Sequence, residues 1–540
     1  MHYLSVGDLH LWSRCRRQWF HRCLGNGIRR APIPEGMTGE SSLREGARAA
    51  ASGRVADHGQ VPDLWDESIA RPDADPTLDA YTLVNDSERL LRWWARTEAA
   101  LAAGESFRSG VVLSEGLYFV IDAGRYRERL ETWEFYLYRA ATGIRGSYRT
   151  EGGALALILQ ELQVPAMSLH LCYLNKRFRL GANEEPLFLE SNIAARSFKI
   201  RDHLRRDRES IQAALNGTYT VPEEYLCRHG CSLCVPVGSD ERVYDVTTLH
   251  KGAQLGRDLR KNGIDDIREL PVEGIRLTKK QRIQIEAVQR GARYTDTPQL
   301  NAFLQTLRYP LFLLDFEAYA PSIPSFEGLG PYEHVPVIVS LHRRRNRDAP
   351  TEHDAFAASP GLDERARMFT WLQEKLGREG SIVVFGKGFE TSMITQLAAV
   401  NGDVDGGAGI IERFVDLLTP FSEFFVYDPR QRGKVSLKRL LPVYTETGYE
   451  EEAVQDGMHA NLSYGRHADA RYGAERRRDD PASAALAVDA ALRNRGEAGS
   501  IATIDEIIAY CSIDTIALVR LLDRLGDYAG AGSTWTPVID

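Results

Sequence analysis

The order of apolar and polar positions divides the chain into three stretches. Residues 1–235 read as mixed helix and strand. A helix over Val6–Cys23 carries Leu9, Trp12 and Trp19 on roughly one face. Strand-like runs follow at GVVLSEGLYFVID and TWEFYLYRA, then a helical stretch, GALALILQEL, and another strand, SLHLCYLNKRF. Residues 240–308 read as helical and connecting. Within them, LRKNGIDDIREL has an apolar–Gly–apolar turn that suits a helix-hairpin-helix element, and more simply a plain helix–helix turn. The third stretch opens with Leu311-Phe312-Leu313-Leu314, a run that predicts a buried strand and leads directly into Asp315-Phe316-Glu317. HVPVIVSLHRRR is a second strand, DERARMFTWLQEKLG an amphipathic helix, SIVVFGKG a buried strand, and FETSMITQLAAV a helix that follows at once. SLKRLLPVY and the long helix TIDEIIAYCSIDTIALVRLLDRL come later. This order suits a mixed sheet flanked by helices, an α/β architecture. Residues 465–499, rich in Ala, Arg, Asp and Gly, read as a mobile insertion. The expected domains are 1–238, a connector at 239–308, and 309–540.

Length requires this division, because 540 residues exceed what one hydrophobic core accommodates. The balance of 43% hydrophobic and 26% charged residues is that of an ordinary globular chain. No apolar stretch approaches the roughly 20 residues a bilayer crossing needs, and MHYLSVGDLHLWSRCRRQWF lacks the apolar core of a secretory signal. The expectation is a cytoplasmic protein without a membrane partner. Net charge is −8, from 67 Lys+Arg against 75 Asp+Glu, which argues against a wholesale nucleic-acid coat. Basic clusters at RCRRQWFHR, KIRDHLRRDR and HRRRNR leave room for a local groove, although each alone is more simply a solvated face.

Candidate chemistry begins at Asp315 and Glu317. Residues i and i+2 of a strand face the same side, so these two carboxylates project together. Adjacent carboxylates repel and lose hydration unless a cation neutralises them. Mg²⁺ or Mn²⁺ does this with a few carboxylates while keeping waters for a phosphate substrate. A lone D-x-E is weak, and a solvated strand end is its bland counterpart. Glu390 opens the helix after VVFGKG, where the helix dipole alone would favour it. Tyr510 and Asp514 stand four apart on one helical face. The surrounding Ile508, Ile513, Ala517 and Leu518 predict burial, and a buried Asp needs a partner.

LLDFEA, VVFGKGFETSM and YCSID together resemble the three exonuclease motifs of the DnaQ-like DEDD superfamily, and Tyr-x-x-x-Asp marks its DEDDy branch. With FVDLLTPF and GKVSLKRLLP, the chain is similar to an uncharacterised bacterial family that joins a RecB-like nuclease region to a DnaQ-like domain. The resemblance implies an RNase H-like fold and a 3′–5′ exonuclease acting on single-stranded DNA or RNA through two metal ions. It makes Asp315, Glu317, Glu390 and Asp514 metal ligands, and Tyr510 the residue that orients the attacking water. Glu390 stands where the superfamily usually has Asp, and Gly386 where a polar residue, often Asn, is common. Asp416 in FVDLL is a spare carboxylate near these motifs. The rival expectation is a catalytically inactive scaffold for nucleic acid or for a protein partner in phage defence or repair.

Seven cysteines are an odd count for disulfides, and Cys227, Cys231 and Cys234 in CRHGCSLC ask for a metal or cluster. With Cys15 far upstream they resemble iron–sulfur RecB-family nucleases, which implies a [4Fe-4S] cluster on the four thiolates. Zn²⁺ suits four cysteines equally well. Cys23 and His229 are alternative ligands. In that family's PD-(D/E)XK site, Glu115 and Asp122 would be the first two acids. Leu137-Tyr138-Arg139 falls where Glu-x-Lys belongs, and a register shift would offer Glu134 instead. The expectation is a unit that has lost cleavage and keeps a structural or strand-holding role, with Arg14, Arg16, Arg17 and Arg22 contacting phosphates. Activity in this unit is the second rival.

Overall fold

The structure is a computed structural model that describes residues 3–16, 19, 87–139, 141–182, 184–222, 244–271, 274–445, short stretches within 454–468, 502–532 and 534–538. It is an α/β protein whose chain divides into two compact units. Unit 1 is Met1–Pro236, Pro321–Glu333 and Arg466–Ser500; unit 2 is Val237–Ala320, His334–Gly465 and Ile501–Asp540. The connector therefore belongs to unit 2. The expected mobile insertion lies almost wholly outside the described residues.

Unit 1 contains α1 (Val6–Arg14), α2 (Ser87–Ala103), β1 (Phe107–Ser114), β2 (Leu117–Arg127), β3 (Thr132–Arg139), α3 (Gly146–Glu161), β4 (Ala166–Leu174), β5 (Phe188–Asn192) and α4 (Ala194–Leu215). Its sheet runs in the order β1-β2-β3-β4-β5. All neighbours are antiparallel except β3 and β4. One face, with Phe107, Ile121, Phe135, Leu137, Leu169 and Leu171, packs under α1 and α3. Helix α3 is buried without a break from Glu151 to Leu159 because α4 also covers it. A Cβ at Gly152 would lie 2.3 Å from Ser197 Oγ, so glycine sets how closely the two helices approach.

The first helix is shorter than the pattern suggested. Ser5 and Asp8 form a capping box at its start, and the backbone turns extended at Cys15, where φ is −161°. Trp19 still meets Trp12 edge to face at 5.2 Å, and its indole N–H donates to Asp8 Oδ1 at 3.0 Å. The amphipathic pattern thus reported a shared core rather than a continuous helix.

Unit 2 contains α5 (Ala253–Lys261), α6 (Lys279–Arg290), β6 (Ala292–Thr295), α7 (Thr297–Leu304), β7 (Leu311–Tyr319), β8 (Val335–Arg344), β9 (Thr351–Ala357), α8 (Arg365–Leu376), β10 (Ser381–Val384), α9 (Gly388–Asn401), α10 (Val404–Ile411), β11 (Phe414–Asp416), β12 (Val426–Tyr427), α11 (Leu437–Thr445), α12 (Ile504–Ala531) and β13 (Trp535–Pro537). The turn after α5 forms at Gly263, with φ +82°, but a 3₁₀ turn, Ile267–Glu269, follows instead of a second α-helix. The helix-hairpin-helix expectation is corrected accordingly.

The main sheet of unit 2 has the order β11-β10-β7-β8-β9. β7, β10 and β11 are parallel, and β8 runs against β7. Strand parity sorts the two faces. Phe312, Leu314 and Phe316 pack with residues of α8, α9 and α10. Leu311 and Leu313 pack with residues of α7, α11 and α12. Asp315 and Glu317 continue the second set, so the apolar run aims both carboxylates at the face that α12 covers.

Candidate metal centre

The centre forms at the carboxyl ends of parallel strands, where open α/β sheets commonly bind ligands. From β7 come Asp315 and Glu317, the latter only 9% exposed. Helix α12 crosses this face and contributes Asp514. Carboxylate oxygens of Asp315, Glu317 and Asp514 all lie within 4.8 Å of one another. Nearly two hundred residues separate these groups in sequence, and the packing of α12 on β7 and β8 unites them.

Glu390 sits in the first turn of α9 and is 3% exposed. It lies outside the three-carboxylate group, yet its charge bears on Asp315. Burial, then the neighbouring charges of Asp514, Glu317 and Glu390, hold the Asp315 carboxyl well above its ordinary range. Burial likewise pushes Glu390 up to about 7, with the Asp416 charge adding to it. Glu390 Oε2 has no hydrogen-bond partner among the described residues. A convergence of hard oxygen donors, one of them buried and orphaned, fits a divalent cation of the Mg²⁺ or Mn²⁺ kind.

Asp416 does something other than approach the centre as a spare ligand. Its carboxylate accepts from the backbone N–H of Gly386 at 2.8 Å, of Lys387 at 3.2 Å and of Leu418 at 3.0 Å. It therefore fixes the turn that launches α9 and, with it, Glu390. Gly386 has φ +84° in this turn, a conformation that favours glycine.

Tyr510 is 4% exposed, one turn before Asp514. The Lys438 ammonium stands 5.3 Å from its ring centroid. Two further neighbours escaped the sequence reading. Cys511 places its Sγ 3.5 Å from Asp315 Oδ2. Behind Asp514, Thr515 Oγ1 lies 2.8 Å from both Ser340 Oγ and His342 Nδ1. Only Cys511 carried a signal, since it falls inside the YCSID motif.

Unit 1 holds a different arrangement. Leu137 and Arg139 share one sheet face, and Asp122 stands just beyond Ala123–Tyr136, where the β2–β3 ladder ends. Arg139 reaches Asp122 Oδ2 at 3.1 Å and, from Nε, Glu151 Oε2 at 2.6 Å. The Asp122 carboxylate also accepts from Tyr138 N–H at 2.9 Å. A guanidinium thus stands between two buried carboxylates. Glu151, at the start of α3, was missed by the motif comparison because it supplies charge balance rather than a motif letter.

Two expected acids stand apart from Asp122. Glu115 lies in the β1–β2 turn with φ +47°, and the five residue steps of β2 from Leu117 to Asp122, about 17 Å at roughly 3.3 Å per residue, separate that turn from Asp122. Glu134 points to the opposite face, where it pairs with Arg127 at 2.8 Å and accepts from Tyr136. Arg16 is committed internally, over Trp12 and to the Tyr219 hydroxyl. Cys15 is buried. Cys227, Cys231, Cys234, Cys23, His229, Arg17 and Arg22 lie outside the described residues.

A family model described as a domain of unknown function, DUF2779, matches residues 312–436. The match covers Asp315, Glu317, Glu390 and Asp416 and stops before Tyr510 and Asp514. No curated protein and no solved structure matches the chain. Among the described residues, no helix is long and apolar enough to cross a membrane.

Proposed function

We propose that unit 2 is a metal-dependent nuclease that removes nucleotides from the 3′ end of single-stranded nucleic acid. The observation that supports this most directly is the meeting of Asp315, Glu317 and Asp514 within 4.8 Å. A bound divalent pair would supply a nucleophilic water and stabilise the leaving oxygen. Asp315, Glu317 and Asp514 would hold it, with Glu390 as the fourth carboxylate. Tyr510, one turn from Asp514, would accept or donate a hydrogen bond to the attacking water and so orient it. Ser340, His342 and Thr515 keep α12 in register with β8, which holds Asp514 over the strand end. Polarity and strandedness come from the resemblance to DEDDy exonucleases.

Unit 1 would be the non-cleaving companion that grips the strand or a protein partner. The Arg139 bridge supports this, because an internal cation already neutralises Asp122 and Glu151. Its resemblance to iron–sulfur RecB-family nucleases supports a [4Fe-4S] cluster, with zinc as the alternative. A brown protein with visible absorbance would favour iron.

The test is incubation of the full chain with 5′-labelled single-stranded DNA or RNA and Mg²⁺ or Mn²⁺. A descending ladder that Asp315→Ala and Asp514→Ala each abolish is expected. No degradation by wild-type protein would favour the scaffold reading. Degradation untouched by Asp315→Ala would reject this centre.

A further inference from the structure

Four carboxylates repel the phosphates of any strand that approaches them, so a strand needs compensating positive charge close by. Residues 430–439, RQRGKVSLKR, carry five cations and no acid. Arg430 is committed to Asp428, at 2.9 and 3.0 Å. Among the described residues, Arg432 and Arg439 are left without an acidic partner. Among the described residues the Arg432 guanidinium has neither ion pair nor hydrogen bond, and its Nε is buried. Arg439 reaches only a backbone carbonyl, that of Gln431, at 3.4 Å. The two guanidiniums are close enough that Arg432, after burial, makes the Arg439 charge less favourable. Arginine does not relieve such repulsion by losing its proton. An anion shared between the two would.

Position supports the same conclusion. Lys438, next to Arg439 on α11, stands over the Tyr510 ring and so borders the acidic centre. Away from it, the loop continues through Arg432 to Gly433, whose carbonyl lies 3.3 Å from His250 Nδ1. Exposed Lys434 and Lys251 flank that contact. The stretch runs from Lys438 at the Tyr510 ring to Gly433 at His250, and such an extent suits successive phosphates better than a single anion.

We infer that Lys438, Arg439, Arg432 and Lys434 form a track for the phosphate backbone of a single-stranded nucleic acid whose end enters the acidic centre. The entry of the end rests on the nuclease reading above, whereas the binding itself does not.

The experiment is fluorescence anisotropy of labelled single-stranded DNA and RNA with the full chain, in EDTA, across a salt series. Arg432→Gln/Arg439→Gln should weaken binding at low salt by about tenfold or more. It should also flatten the log–log salt slope by roughly 1.4, at about 0.7 per lost single-strand phosphate contact. Arg367→Gln, which removes an exposed cation of α8 paired with Glu364, should leave both unchanged. If the double variant melts early, Lys434→Gln/Lys438→Gln at exposed positions tests the same track and should give the same loss of slope. Wild-type affinity and slope in these variants would overturn the track, as would an equal loss in Arg367→Gln. Competition by inorganic phosphate as effective as that by a long oligonucleotide would also overturn it, in favour of a single-anion site. Track-dependent binding without any Mn²⁺-supported degradation would remove the nuclease reading and leave the track. Degradation with unchanged KM in the double variant would do the reverse.

Discussion

Cys511 Sγ lies 3.5 Å from Oδ2 of Asp315 and 3.7 Å from its carbonyl oxygen, so a thiol is sealed against the most crowded carboxylate of the centre. Burial, then the charges of Asp315, Glu317 and Asp514, push that thiol far above its ordinary range. The thiolate is the reactive form, so native Cys511 should be inert. We expect iodoacetamide to label its peptide only after unfolding, read by mass spectrometry. Rapid labelling of the native protein would contradict the packing of α12 on β7.

Asp315→Asn should stabilise the metal-free protein while abolishing activity. Removing one of several repelling, desolvated carboxylates relieves the fold of its own site. The melting temperature should rise by about 2–4 °C for each kcal/mol of repulsion removed. Mn²⁺ should raise the melting temperature of wild type by mass action and that of the variant far less. A variant that melts below wild type without metal would count against the acid cluster.

Glu390 gives a pH dependence of definite sign. Its pKa rises from 4.5 to about 7 on folding. Protonated Glu390 therefore favours the metal-free fold in full below pH 4.5, and that contribution is lost as pH rises through 7. Urea denaturation of metal-free protein across this window should show Glu390→Gln losing less stability than wild type as pH rises. Parallel curves would mean that Glu390 is hydrated.

His342 gives the opposite trend. Burial, then the His353 charge, lowers its pKa from 6.5 to about 4. The neutral ring that meets Thr515 is favoured in full above pH 6.5, and its contribution is lost as pH falls toward 4. His342→Gln should flatten this acid limb in denaturation curves. An unchanged acid limb would place the loss elsewhere.

Arg139→Ala should destabilise unit 1 by about 3–5 kcal/mol, because Asp122 and Glu151 would stay buried without their cation. Replacing all three by apolar residues of matching volume should cost less than the single change. Hydrogen exchange over β2 and β3 would report it. A neutral Arg139→Ala would show that water already reaches the pair.

The chain itself determined much of this. Alternation in LFLLDFEAY sets strand parity, and parity alone puts Asp315 and Glu317 on one face. The four-residue step from Tyr510 to Asp514 does the same on a helix. Tertiary structure decided which faces meet. No local rule tells β7 that its odd face will lie beneath α12, since that contact depends on cores assembled from distant segments. The same limit explains the misses. The break at Cys15 hid inside a good amphipathic pattern because the buried tryptophans pack equally well across a bend. Glu115 stands at the far end of β2 from Asp122, and register turns Glu134 to the opposite face, because one residue of register reverses every side chain. The Arg139 bridge, the Asp416 turn and the unpaired Arg432 are balances of charge across space, and sequence spacing carries no record of them.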